Sequence, residues 1–160
     1  MNRILEESQI PALVSNFGFY DELPCGVIAF NPDGKVYCAN KTLSNWVGRE
    51  LSDISAKGFK SLISKPSLLY YNLMLEPMLN LNQEVSEINL QLTGKEGNID
   101  VLLNGIIYRN CENKVVMVQA TLQRITNRKK YEVELLMERR RAEEQRLKLE
   151  FVLNLVPIQI

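Results

Sequence analysis

Two glutamates three residues apart, Glu84 and Glu87, are the closest approach in this sequence to a general acid–base pair. They fall on a predicted strand, and alternation sends them to opposite faces, where they cannot share a reacting group. Gly94-x-x-Gly97 has the glycines of a phosphate loop. No Lys-Ser/Thr follows it and no helix starts there, so it reads as a hairpin turn. Asp33-Gly34 is likewise a turn, and Asp53 and Asp100 have no partners in sequence. Cys25, Cys38 and Cys111 contain no CxxC and are odd in number. That pattern argues for reduced thiols rather than a disulfide framework or a zinc site. Histidine is absent. Its absence removes the Ser-His-Asp and Cys-His nucleophile systems, histidine-ligated zinc and haem, and the phosphoacceptor of a two-component kinase. No catalytic set and no metal site is expected within these residues.

The totals fit a soluble chain of one domain and a tail. Of 160 residues, 46% are hydrophobic and 24% charged, with a formal net charge of zero. Zero net charge gives no global reason to expect nucleic acid. No apolar run reaches the ~18 residues that span a bilayer. The opening MNRILEESQIPALVS has acids inside its apolar stretch, unlike a signal peptide. The expectation is a cytoplasmic protein.

The elements are organised around a hairpin. Cys25–Phe30 and Lys35–Ala39 flank Asn31-Pro32-Asp33-Gly34, in which Pro presets φ, Asp tolerates a tight bend and Gly accepts positive φ. Pairing Phe30 with Lys35 would set Ala29 against Val36 and Val27 against Cys38 on one face, with Ile28 and Tyr37 on the other. Asn40 is placed to cap a helix whose apolar positions are Leu43, Trp46 and Val47, and Gly48 to stop it. Before the hairpin, residues 1–19 form a helical lead-in with Pro11 near its start, covering the back of the sheet or a second copy of itself. After it comes a short stripe of Phe59, Leu62 and Ile63. A longer helix over 68–81 follows, which Pro77 should kink or break. Residues 84–93 alternate with Ile88, Leu90 and Leu92 inward. In the next strand Asn104-Gly105 marks a bulge or a close backbone approach. In the last strand Val116, Val118, Ala120 and Leu122 share a face. Two strands, helices, then three strands is an α+β order.

The stretch GVIAFNPDGKVYCAN, followed by an amphipathic helix, resembles the opening of a PAS domain, and the likeness extends with weaker motifs over 20–126. The resemblance implies a five-stranded antiparallel sheet with helices over one face, first and last strands being neighbours, then a long C-terminal signalling helix. It implies a sensory module for a small molecule or for dimer state, with an effector such as a histidine kinase, a diguanylate cyclase or a serine phosphatase. None of those effectors is within these residues. A ligand pocket would lie between the sheet and the 68–81 helix, with Tyr70, Tyr71, Asn72 and Asn104 as polar groups and Trp46 as a wall. Met74, also a candidate for the pocket lining, stands where a subgroup of the family often carries His. No flavin-photosensor motif is present, so the cofactor is open. The family's Asp-Ile-Thr coupling motif reads Arg124-Ile125-Thr126 here.

Residues 127–160 differ in character. Positions 127–150 hold 14 of the 38 charges and no Gly or Pro. Leu135, Ala142, Leu149 and Val156 are seven apart, but Glu132, Arg139 and Arg146 fall where a coiled coil would place Leu. The readings are a parallel homodimeric coiled coil, a solvated single helix, or, least favoured by the interleaved charges, a basic patch. The apolar end from Phe151 to Ile160 needs a partner surface: either the helix continues into a partner, or the chain is cut where another domain begins.

Overall fold

The computed structural model describes residues 3–15 and 17–155, with the side chains of Phe17 and of 126–130 outside that description. Val156 and the remainder of the apolar end therefore lie outside the described residues. Two compact units divide at Arg124/Ile125.

The first unit is built on an antiparallel sheet: β1 (Gly26–Phe30), β2 (Val36–Ala39), β3 (Glu84–Gly94), β4 (Gly97–Arg109) and β5 (Val115–Arg124), in the order β2-β1-β5-β4-β3. The first and last strands are neighbours, with Ile28 opposite Ala120. Ahead of the sheet lies α1 (Ile10–Val14), with Pro11 in its first turn, where a missing N–H costs nothing. Between β2 and β3 run α2 (Lys41–Val47), α3 (Leu51–Lys57), α4 (Lys65–Tyr70) and α5 (Glu76–Leu81).

The hairpin turns where expected, but its register differs. Ala29 pairs with Cys38 and Phe30 with Val36, so Tyr37 is an extra residue on β2. The bulge re-phases the strand. Val36 joins Ile28 and Phe30 in the main core, while Cys38 packs with Ala29 on the other face. Alternation alone had put Val36 and Cys38 together. A second irregularity, where Tyr108 pairs with Met117 and Arg109 with Val115, turns Val116 away from Val118, Ala120 and Leu122. A third sits in β3 between Val85 and Ile88, with Glu87 at φ 54°. β4 runs through Gly105 without a break. Gly105 permits close approach, since a Cβ there would lie 3.1 Å from Val118 Cγ1.

The main core fills the space between the sheet and helices α2 to α5. The helical run over 65–81 does not break at Pro77. A π turn, Tyr71–Leu75, joins α4 to α5, with the Glu76 N–H bonded to the Tyr71 carbonyl five residues back. Pro77, which lacks an N–H, then sits in the first turn of α5. The opposite face of the sheet carries a smaller cluster of Leu5, Ile10, Ala29, Val116 and Met117, so the lead-in covers the back of the sheet. Its strand-like start is tied by Leu5 N–H to Arg109 O at 2.8 Å and Arg109 N–H to Arg3 O at 3.0 Å.

The second unit is α6 (Thr126–Leu155), 30 residues and about 45 Å long.

Candidate functional site

Asn40 holds the two halves of the hairpin opening together. It is fully buried. Its Oδ1 accepts the N–H of Val27 at 3.0 Å and of Leu43 at 3.1 Å. Its Nδ2 donates to the carbonyls of Tyr20 at 2.8 Å and Cys25 at 3.0 Å. Every hydrogen-bonding site that an amide readily uses is occupied. The sequence marks Asn40 only as a helix cap; its hold on β1 and on the segment from Tyr20 to Cys25 comes from the tertiary fold. Gly48 ends α2 at φ 66°, its N–H bonded to Ser44 O.

Between sheet and helices the space is occupied by side chains. Phe30 and Phe59 stack at 4.3 Å between centroids, and Phe59 meets Tyr71 at 5.7 Å. Tyr71 is buried, its hydroxyl donating to Pro32 O at 2.8 Å, and burial pushes its ionisation well above the usual phenol range. Leu75 and Leu79 complete that side.

The six residues expected to line one pocket are not brought together. Tyr71 belongs to the core. Tyr70, Asn72 and Met74 are exposed, Met74 at 54%. Tyr71, Leu75 and Leu79, four apart, form the one stripe of this run that faces the sheet, leaving their neighbours outward. Asn104 lies toward the back face, where its Oδ1 accepts the Glu87 N–H at 2.9 Å and holds the β3 bulge. Trp46 is half-buried on the edge of the main core. It walls a surface groove of about 400 Å³ with Lys95, Asn98 and Arg124. Arg124, the first residue of the expected relay, lies over the Trp46 ring at 5.6 Å. Ile125 is buried, and the Thr126 side chain lies outside the description. Glu84 and Glu87 are both exposed. Asp53 does have partners: Arg49 Nε at 2.6 Å and Lys57 Nζ at 3.3 Å. The Arg49 guanidinium holds its carboxyl below the usual carboxylate range.

Two further grooves lie on the back of the sheet, which residue patterns did not indicate. One groove of about 680 Å³ runs between the lead-in and the sheet, lined by Leu5, Leu13, Phe19, Cys38, Met117 and Gln119 among others. A second, about 330 Å³, is lined by Leu23, Val27, Asn104, Ile106 and Thr121, and both touch Tyr20 and Gln119. Burial raises the Cys38 thiol to about 11, so it is a neutral, apolar wall at physiological pH. All three cysteines are free. Among the described residues no group of His, Cys, Asp or Glu could hold a metal ion, and no helix is long and apolar enough to cross a membrane.

Solved structures share this architecture. A PAS domain from Colwellia psychrerythraea superposes with a TM-score of 0.61 at 10% identity, covering 72% of this chain and 98% of that one. The PAS domain of the fruit-fly ELK potassium channel gives 0.55 at 16% identity over 74% and 98%. The fold is that of a PAS domain. A further PAS relative in structure is the quorum-sensing receptor RpfR of Cronobacter turicensis in complex with BDSF, with TM-score 0.54, 8% identity and coverage of 65% and 96%. In sequence, the phosphoserine phosphatase RsbP of Bacillus subtilis (strain 168) is 29% identical over 125 residues, 78% of this chain and 30% of that protein. The chain thus spans less than a third of this relative's length. No family model matches it.

Proposed function

We propose that this chain is a sensory PAS module that acts as a dimer and passes its state through α6 to an effector. The observation that carries the reading is the junction: β5 ends at Arg124 and α6 begins at Thr126, so one residue separates the central sheet from a 30-residue helix. With no slack in the chain, a change in the position or twist of β5 has a short covalent route into the helix. Arg124 stands where the family's coupling Asp would be, and its contact with Trp46 supplies a different hold on the end of β5. Of the effector classes the family offers, a serine phosphatase has the support of the likeness to RsbP. The 1–19 lead-in, the 20–126 PAS domain and the 127–160 signalling helix remain the proposed division, acting in the cytoplasm without nucleic acid.

The packed core favours a second reading, a ligand-free PAS module for dimerisation and protein interaction. Phe30, Phe59, Tyr71 and Leu75 occupy the space where a front-face ligand would sit. Native mass spectrometry of the purified chain separates the two. The sensory reading expects a dimer carrying a reproducible extra mass, or one gained on incubation with candidate ligands. A dimer that stays free of added mass moves the assignment to the interaction module, and a clean monomer sinks the dimer-based relay.

A further inference from the structure

Helix α6 leaves its large apolar side chains open to solvent, from Val133 at 47% to Leu153 at 67% exposed. They fall into two stripes. One holds Leu135, Ala142 and Leu149, spaced by seven. The other runs Val133, Met137, Arg140, Glu144, Leu147, Phe151, at alternating steps of four and three, which is the spacing of a coiled-coil seam. At ~100° per residue, Leu135 and Met137 lie about 200° apart, so the stripes occupy opposite sides of the helix.

The second stripe is symmetric about its middle, with apolar residues matched at both ends and a base matched to an acid at the centre. About Ala142 its members pair as Val133 with Phe151, Met137 with Leu147, and Arg140 with Glu144. A parallel, in-register pair would set each residue beside its own copy, so the centre of the seam would stack Arg140 on Arg140 and Glu144 on Glu144. An antiparallel pair centred on Ala142 sets apolar on apolar at both ends and base on acid in the middle, each twice by symmetry. It also brings Glu134 beside Lys148 on the flank. Arg141 and Glu143 meet their own copies at the dyad, exposed positions where like charges cost little. The first stripe does worse. Paired in parallel it stacks Glu138 on Glu138 and brings Arg141 beside Arg146. Paired antiparallel with Leu135 opposite Val152, it brings Arg139 beside Arg146.

We propose that the partner of this stripe is a second copy of the chain, bound antiparallel through residues 133–151 with the two-fold axis level with residue 142 along the helix. This rests on the reading that the chain self-associates, and adds which face does so and in which direction. The Leu135–Ala142–Leu149 stripe then faces away from the pair.

Spin-label distances test it. In full-length chain with Cys25, Cys38 and Cys111 changed to Ala, one label is placed at Arg141→Cys and, separately, one at Tyr131→Cys. Helicity is checked by circular dichroism and mass by light scattering. The antiparallel pair predicts under about 20 Å between labels at 141, because the helices pack 8–10 Å apart. It predicts about 33 Å at 131, because 22 residues of rise separate the two copies. Val133→Glu with Phe151→Glu should raise the dimer dissociation constant at least tenfold, whereas Leu135→Glu with Leu149→Glu should leave it unchanged. Short distances at both labels mean a parallel pair and overturn the proposal while self-association stands. A dimer with no short distance at 141 uses another surface and also overturns it. A monomer at every concentration removes the self-association reading as well.

Discussion

At the scale of single residues, Asn40 shows how one amide makes a local signal do tertiary work. Replacing it with Ala strips two N–H groups and two carbonyls of their partner in a fully buried site. Losing such a set costs about 3 kcal/mol. Urea unfolding of Asn40→Ala should show that loss with an unchanged m-value, and a loss below about 1 kcal/mol would mean that water replaces the amide. Tyr71→Phe removes only the bond to Pro32 O and should cost about 1 kcal/mol by the same measurement. Cys38 gives a pH effect. Its thiol titrates at 9.0 in the unfolded chain and at about 11 when folded. Above pH 9 the unfolded chain sheds this proton while the folded one keeps it, so stability is whole below pH 9 and falls as pH rises toward 11. Cys38→Ala should flatten the decline between pH 9 and 11; an identical slope in the variant would show that Cys38 is not its source.

At the scale of elements, the places where periodicity failed are backbone irregularities. The bulge at Tyr37 and the slip near Arg109 each move one residue, and each flips its strand's inward set, because strand side chains alternate. Nothing in residue type marks them. The turn and cap signals held because they are local: Asn40, Gly48 and Asp33-Gly34 act through their own backbone neighbours. Gly48 combines a left-handed φ of 66° with a close neighbour, since a Cβ would lie 2.7 Å from Lys95 Cβ. Gly48→Ala should therefore cost about 2 kcal/mol, the strain of the conformation plus displacement of the β3–β4 turn. A melting temperature equal to that of the parent chain would contradict this.

At the scale of the whole molecule, the division at Arg124/Ile125 makes a prediction about truncation. A chain ending at Ile125 keeps both core clusters of the sheet and should unfold in one cooperative transition, close to that of the full chain. Loss of cooperative folding in that truncation would show that α6 is part of the PAS core. The same truncation should also abolish dimerisation if α6 is the pairing surface.

What the sequence determined alone was the order of elements, the hairpin turn, the capped helix and the absence of histidine chemistry, all read from neighbours along the chain. It also carried the spacing of the helical stripes, because 3.6-residue periodicity needs no partner to be visible. Only the tertiary structure decided which of Tyr70, Tyr71, Asn72 and Met74 faces inward, because that depends on how the helical run is rotated against the sheet. It alone placed two grooves on the back of the sheet. Cavities arise where distant segments fail to fill the gap between them, and no run of residues records that failure.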